Sequence, residues 1–433
     1  MKMTSFQIVL SGAFVFFILL GVGLFATQGG VNGGSGVGHV VIWGTVDQSE
    51  MDAALTALRQ NDKTFGDVSY VEKSGSTYTA DLINGMASGS GPDLFLLPQD
   101  QILAFADKVT PIPYATVSQA AFTSAFIDEG RMYLSSQGIS AMPLLVDPLV
   151  MYWNRDMFSQ AGFPQPPQYW SDLLTVAPRL TQIDGSANVT KSAVSLGTYN
   201  NVMYAKQILS AMFMQAGDRV IDFSTDGKLV PVLGSRVDNS SDIPAVSALQ
   251  FYTEFADPAK TSYSWNRSLP QSQDAFVAGT SAVYFGLASE YLSIAARNPN
   301  LRFSVAELPQ IKGGSATLTF GTITGVAISR AAANPSGAAT VALALSAQPG
   351  ISALMQATNL PSVRRDIVPD TSASAASAVF AQAALISSAW LDPNPQKTDD
   401  LFQTMIESVV NGKADPQAAV GETTQTLLTM MPK

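Results

Sequence analysis

Two spacings of apolar residues alternate along the first third of the chain. Short apolar runs that end at a turn residue are typical of buried strands, and apolar residues three and four positions apart are typical of helices that face a core. The strands are predicted at 39–45, 68–71 and 93–97, and the helices at 51–58, 79–87 and 99–106. This alternation predicts βαβ units with a mainly parallel sheet, so the predicted fold class is α/β.

The predicted sheet also locates candidate ligand loops. Ligands of open α/β sheets bind outside the carboxyl ends of the strands. We therefore expect a ligand near three loops, at 43–48, 73–78 and 98–101.

The rest of the chain combines further helices with polar loops. An apolar run with two prolines covers 139–150, and a helix begins at Arg155. More helices are predicted at 170–180, 205–215 and 337–347, strands at 303–308 and 325–329, and loops at 184–200 and 234–243. The C-terminal part is predicted to be mostly helical.

The N-terminus carries one long apolar run. Residues 6–26 contain no charged side chain, and this length suits the ~20 residues that are needed to cross a bilayer. With Lys2 as the nearby cation, the positive-inside rule predicts a cytoplasmic N-terminus and an exported body. A cleaved signal peptide is the alternative, and it also implies export. Residues 28–38 are predicted to be a Gly-rich tether.

Composition limits the partners and the chemistry. The 433 residues include 24 basic and 34 acidic side chains, a net charge of -10. This balance excludes the broad cationic surface that nucleic acid or anionic lipid requires. The absence of cysteine and the single histidine, His39, exclude thiolate and His-pair metal sites and make a Ser-His-Asp triad improbable. We expect no metal, no nucleotide and no other cofactor.

Five stretches resemble, in order, segments of one protein family. They lie at 91–100, 142–174, 275–284, 308–314 and 360–365. They are similar to the extracellular solute-binding proteins of ABC importers (family 1), specifically to the sugar-binding group that includes maltose-binding protein. The order and spacing agree from His39 to the C-terminus.

The resemblance implies a two-lobed, periplasmic-binding-protein-like fold of type II. Each lobe would be a mainly parallel sheet flanked by helices, and a hinge would close the lobes on a ligand. Lobe 1 would hold 39–142 and 311–358, and lobe 2 would hold 143–310 and 359–433. The implied function is capture of a carbohydrate and its delivery to the membrane subunits of an ABC permease, without enzymatic activity. The chain would lie on the outer face of the cytoplasmic membrane, anchored by its N-terminal helix.

Sugar sites combine aromatic faces, which pack on C–H surfaces, with planar polar groups that bond to hydroxyls. On that basis the resemblance suggests the following ligand contacts: Trp43, Gly44, Thr45, Ser74, Ser76, Gln99, Asp100, Asp147, Met214, Gln215, Tyr263, Trp265, Ser289, Glu290, Phe320, Gly321, Thr322 and Trp390.

Several of these residues have a structural alternative. Trp43 suits a core position equally well, the two serines suit a surface turn, and Asp100 suits the N-terminal end of its helix. Asp147 lies in an apolar stretch, where a carboxylate needs partners. Trp265 lies in a polar loop without core periodicity, which favours an exposed side chain.

Ser289 and Glu290 depart from the family, which often has an aromatic residue at this place, so a stacking side chain is expected to be missing there. Two other functions stay open. One is a tethered ligand-sensing or surface protein, and the other is a glycoside hydrolase that uses two carboxylates, although nothing in the sequence marks such a pair.

Overall fold

The computed structural model describes residues 36–235, 243–368 and 374–431. The predicted membrane segment, 6–26, and the tether up to residue 35 lie outside these ranges. Among the described helices, none is by itself long and apolar enough to cross a membrane. Pro335–Leu345 and Gln348–Thr358 pass that test only together, as a pair bent by 65°.

The secondary structure of the described ranges is as follows. Strands β1 to β14 are Val40–Gly44, Val68–Glu72, Leu94–Pro98, Leu134–Ser135, Gly138–Ile139, Met142–Asn154, Gln182–Ile183, Val189–Val194, Ile221–Phe223, Leu229–Pro231, Ser281–Leu287, Phe303–Ala306, Thr319–Ile328 and Ser387–Ser388. Helices α1 to α14 are Gln48–Asn61, Tyr78–Ser88, Gln119–Ala125, Arg155–Gln160, Asp172–Leu180, Ala205–Gln215, Pro244–Glu254, Ser272–Val277, Tyr291–Arg297, Pro335–Leu345, Gln348–Thr358, Ala375–Leu385, Pro395–Val410 and Pro416–Met430. Short 3-10 turns occupy Lys63–Phe65, Gln99–Gln101, Asp128–Tyr133 and Ala288–Glu290.

The chain divides into two compact units. Unit 1 consists of the described residues up to Val146 together with Ile323–Val368, and unit 2 consists of Asp147–Thr322 together with the described chain after Pro369. The expected lobe boundaries, after residues 142, 310 and 358, each fall earlier in the chain than the boundaries between these units.

The two larger differences have a structural cause. Residues 311–322 belong to unit 2 because the start of β13 pairs with β14 of that unit. Residues 359–368 belong to unit 1 because they pack beside α3, where the N–H of Ile127 donates to the carbonyl of Val363 at 3.0 Å.

Unit 1 contains the parallel sheet that the strand–helix alternation predicts. Strands β2, β1 and β3 are parallel and adjacent in that order, and the part of β13 from Thr324 runs antiparallel to β3. Asp47 caps the N-terminus of helix α1, because its side chain accepts a hydrogen bond from the N–H of Ser49 at 2.8 Å. It buries Met51, Ala54, Leu55 and Leu58, which confirms the predicted helical spacing.

Unit 2 contains a mixed sheet, whereas a mainly parallel one is expected. Strand β6 pairs with β11 and with β12 and is antiparallel to both, while β8 is parallel to β11. Helix α9 connects β11 to β12, as a crossover between parallel strands requires. Strand β6 begins in unit 1 and continues into unit 2, so no preceding strand and helix of unit 2 set its direction.

Two local predictions are wrong. Residues 99–106 form a 3-10 turn, Gln99–Gln101, and further turns rather than a helix. The buried apolar side chains here, Ile102 and Phe105, are three positions apart, a spacing that suits 3-10 geometry. The predicted loop 184–200 contains β8, which forms because β11 supplies a partner strand that no local pattern reveals. The helices predicted at 205–215 and 337–347 are confirmed by α6 and α10.

Candidate functional site

In unit 1, the carboxyl ends of β1 and β2 bring Trp43 next to Lys73. The Lys73 ammonium lies 3.7 Å from the centroid of the Trp43 ring, a cation–π contact. The same ring packs against Gly85 of α2, where a Cβ would come within 2.9 Å of it. Trp43 is half-buried. Trp43 is therefore an aromatic side chain that is held in place at the carboxyl end of β1, with part of its surface accessible.

The neighbouring residues differ in what they can offer a ligand. Gly44 is buried, and a Cβ at this position would overlap the side chain of Leu96, so its role is steric. Thr45, Ser74 and Ser76 are exposed, and the two serine hydroxyls are 3.0 Å apart. These hydroxyl groups are accessible at the carboxyl ends of their strands.

Gln99 and Asp100 follow β3 and have different surroundings. Gln99 is 4% exposed, and its Oε1 accepts a hydrogen bond from the N–H of Ile323. Its side chain thereby connects the end of β3 to β13 inside unit 1. Asp100 is half-buried, and it is the more accessible of the two polar side chains.

In unit 2, Asp147 lies beside the turn that follows β11. The N–H of Ser289 donates to Asp147 Oδ1 at 3.0 Å. Burial raises the pKa of Asp147 to about 6, although the hydrogen bonds from Ser289 act in the opposite direction. Near neutral pH both protonation states are therefore accessible, and the side chain can accept a hydrogen bond from a ligand hydroxyl or donate one to it.

Glu290, next to Ser289, binds two tyrosine hydroxyls. Glu290 Oε1 accepts from Tyr204 at 2.8 Å, and Oε2 accepts from Tyr284 at 2.7 Å. Burial raises the pKa of Glu290, and the two tyrosine hydrogen bonds lower it. Two tyrosine side chains therefore stand beside Glu290, one from β11 and one from a residue 86 positions away in the chain.

No pattern in the sequence singles out Tyr204. It stands directly before α6, where many residue types occur, and its neighbours show no aromatic or acidic motif. Its one distinguishing feature is its backbone conformation, which a sequence does not display.

The expectation that Trp265 is exposed is wrong. Its side chain is fully buried in the unit 2 core. The surrounding loop is polar because its short side chains bond to buried partners: the hydroxyl of Ser264, for example, donates to the carbonyl of Val194 at 2.8 Å. Tyr263 is half-buried, and its hydroxyl accepts from the side-chain amide of Asn266 at 2.8 Å. A fully buried tryptophan offers no surface to a ligand.

Gln215 uses its polar atoms inside the core. Its Oε1 accepts from the indole of Trp170 at 2.7 Å, and its Nε2 donates to the carbonyls of Pro309 and Leu318 at 3.1 Å and 2.8 Å. Met214 is half-buried and packs against the same core. Gln215 therefore stabilises the end of α6 instead of facing a ligand.

Trp390 and Phe320 are also core residues, at 7% and 8% exposed. The indole of Trp390 donates to Ser210 Oγ at 3.1 Å. In the unit 2 part of β13, Gly321 is buried and Thr322 is half-buried. Among these residues, Thr322 has the most accessible side chain.

A groove of about 540 Å³ lies elsewhere in unit 2. Residues of α7, the end of α13 and the start of α14 line it, including Val246, Glu254, Val409 and Asp415. None of the expected ligand contacts is among its lining residues.

Comparison with known proteins identifies the family. The model of the bacterial extracellular solute-binding proteins matches residues 53–381. The galactooligosaccharide-binding protein of Bacillus subtilis (strain 168) is 20% identical over 399 residues, which cover 90% of this chain and 88% of that protein.

Solved structures show the same fold. A cyclo/maltodextrin-binding protein complexed with maltotetraose has a TM-score of 0.73 and 17% identity, covering 93% of this chain and 100% of that one. The cyclic alpha-maltosyl-1,6-maltose binding protein from Arthrobacter globiformis has a TM-score of 0.73 and 16% identity, covering 90% and 98%. The α/β, two-lobed fold is thus that of solute-binding proteins. The chain belongs to the bacterial extracellular solute-binding proteins, which bind substrates outside the cytoplasm and are not enzymes.

Proposed function

We propose that this chain is the carbohydrate-binding component of an ABC importer, which captures an oligosaccharide and delivers it to membrane permease subunits. The observation that carries the proposal is that the reported proteins that match 90% or more of the chain are named for carbohydrates: a galactooligosaccharide, a maltodextrin and a cyclic maltosyl-maltose.

The accessible residues of each unit support a neutral, hydroxyl-rich ligand. Unit 1 offers the Trp43 ring, the hydroxyls of the β1 and β2 loops and the Asp100 carboxylate. Unit 2 offers Asp147 beside the N–H of Ser289. Aromatic faces and carboxylates are the groups that bind the C–H surface and the hydroxyls of a sugar. Thr322 is a further proposed contact.

We further propose that residues 6–26 anchor the chain to the outer face of the cytoplasmic membrane. The described chain begins next to unit 1, where Val37 accepts a hydrogen bond from the Asn334 side chain at 2.8 Å and donates to the carbonyl of Thr64 at 3.1 Å. The proposed tether would therefore end at a fixed point on unit 1.

A thermal-shift panel tests the carbohydrate proposal. Galactooligosaccharides, maltotetraose, mannotriose and tagatose are compared with amino acids and short peptides. A ligand that binds only the folded chain stabilises it by about 2.7 kcal/mol at 100 times its Kd, so we expect at least one sugar to raise the Tm. Stabilisation by peptides or amino acids alone would overturn the carbohydrate assignment.

A further inference from the structure

Part of the groove in unit 2 is apolar. Val246 lines it from α7, and Val409 and Val410 line it from the end of α13. All three side chains are half-buried, so each keeps a surface that the core does not cover. The volume of about 540 Å³ lies within the range of about 300–1,000 Å³ that is typical of ligand pockets. The groove is therefore large enough for several side chains of a partner.

Three carboxylates line the same groove. Glu254 ends α7, Asp257 follows it, and Asp415 caps the N-terminus of α14. Lys260 carries the one positive charge among the described lining residues, so negative charge is in excess. Within the described ranges, none of the three carboxylates forms an ion pair with a basic side chain. The groove thus combines an apolar surface with carboxylates that no described ion pair neutralises.

Each of these carboxylates is oriented by one local hydrogen bond. Glu254 Oε1 accepts from the hydroxyl of Ser262 at 2.5 Å, and Asp415 Oδ1 accepts from the N–H of Ala418 at 2.8 Å. Asp257 Oδ1 accepts from the N–H two residues further along the chain, at 2.9 Å. A carboxylate can accept several hydrogen bonds. All three side chains are therefore held in place and keep acceptor capacity for a donor from another molecule.

We propose that this groove is a docking site for a segment of a partner protein in which an apolar side chain stands next to an arginine. The apolar side chain would pack on the three valines, and the guanidinium would bond to the carboxylates that line the groove. This inference goes beyond the proposed function, because none of the expected sugar contacts lines the groove.

Charge complementarity selects this occupant. An acidic segment would place like charges side by side, which costs free energy. A purely apolar segment would cover the carboxylates without giving them a hydrogen-bond donor, which is also unfavourable. Arginine suits the groove because its planar guanidinium can bond to one carboxylate with two parallel N–H groups.

Two probes of nearly equal shape test the proposal: N-acetyl-leucyl-arginine amide and N-acetyl-leucyl-citrulline amide. Citrulline carries an uncharged urea group in place of the guanidinium. Each probe is titrated into the full chain, which is reconstituted in a lipid nanodisc and labelled with ¹³C at its valine methyl groups. We expect the arginine probe to shift the methyl resonances of Val246, Val409 and Val410. Its Kd should be about tenfold lower than that of the citrulline probe.

The charge variant is the triple substitution Glu254→Gln/Asp257→Asn/Asp415→Asn. Each amide keeps an oxygen for the local hydrogen bond, so the groove keeps its shape and loses its negative charges. We expect the Kd of the arginine probe to rise about tenfold, to that of the citrulline probe, which itself should not change. The increase in Tm that a bound sugar causes should be the same in this variant and in the wild type.

A matched control removes three carboxylates outside the groove: Asp62→Asn/Asp184→Asn/Asp226→Asn. These aspartates are exposed, and each accepts a local hydrogen bond. The control changes the net charge of the chain by the same amount as the charge variant. It should therefore leave the Kd of both probes at the wild-type values.

The outcomes that would overturn the docking site are distinct. They are equal affinities of the two probes for the wild type, unshifted valine methyl resonances with the arginine probe, and an equal loss of binding in the charge variant and the control. If the charge variant does not fold, the comparison of the two probes on the wild type decides. None of these results bears on the proposed function, which the sugar panel tests separately.

Discussion

The carboxyl group of Asp147, a proposed ligand contact, lowers the stability of the fold at neutral pH. Its pKa is about 6 in the folded chain, above the value of 3.8 for an unperturbed side chain, because burial disfavours the charged form. Between these two values the folded chain binds more protons than the unfolded chain. The free energy of unfolding therefore falls as the pH rises from about 4 to about 6, and the loss persists above pH 6.

Asp147→Asn should consequently stabilise the protein at pH 7.5, by up to about 3 kcal/mol, and weaken sugar binding. The amide keeps an oxygen for the N–H of Ser289 but carries no charge to desolvate. Urea unfolding at pH 7.5 and pH 4 checks this, because the two proteins should converge at the lower pH. If the wild type and Asp147→Asn had equal free energies of unfolding at pH 7.5 as well as at pH 4, the raised pKa of Asp147 would be contradicted.

Asp184→Asn is the control of opposite sign. Asp184 is exposed, and hydrogen bonds from Asn188 and Ser186 lower its pKa. Its contribution to stability is present at neutral pH and is lost as the pH falls through its folded pKa. Removing the charge should therefore not stabilise the protein at pH 7.5.

Helix α6 is connected to the C-terminal segment by a buried ion pair. Lys206 Nζ lies 2.7 Å from Asp392 Oδ2 and donates to Thr398 Oγ1 at 2.6 Å. The lysine and aspartate are 9% and 4% exposed. Burying two charges is compensated only when each has its partner and its hydrogen bonds, so this pair defines how α6 and the start of α13 pack together within unit 2.

Lys206→Met should reduce the free energy of unfolding by about 3–5 kcal/mol, because it leaves the Asp392 carboxylate buried without its cation. The double variant Lys206→Met/Asp392→Leu removes both charges and should recover much of that loss. Urea unfolding of both variants at pH 7 makes the comparison. A double variant that is less stable than the single one would contradict this expectation, because it would show that the Asp392 carboxylate without its cation still stabilises the fold through Thr398 and the N–H of Asn394.

On the scale of the whole molecule, the junction between the proposed anchor and unit 1 predicts where the chain can be shortened without loss of stability. Within the described ranges, Val37 is fixed on unit 1, because its backbone forms hydrogen bonds with Thr64 and with the side chain of Asn334. Residues before it are not needed for those contacts.

A chain that starts at residue 36 should therefore keep the Tm of the full chain and move from the membrane fraction to the soluble fraction. Fractionation, with mass spectrometry of the full-length product, checks this. If the protein expressed from the full-length sequence is already soluble and is shortened at its N-terminus, the segment is instead a cleaved signal peptide.

The hydrophobic pattern alone determined much of unit 1: the parallel arrangement of β1 to β3, helix α1 with Met51 and Leu58 on its buried face, and the positions of the loops that follow the three strands. The spacing of apolar residues is sufficient there because the geometry of a single strand or helix fixes which of its side chains share one face. The same logic fails where burial depends on distant partners. Trp265 and Gln215 lie in the core because chain segments far away in sequence cover them and satisfy the Gln215 amide. Only the tertiary structure brings Tyr204 to Glu290, because that contact depends on how β11 and α6 pack together, and no local spacing encodes it.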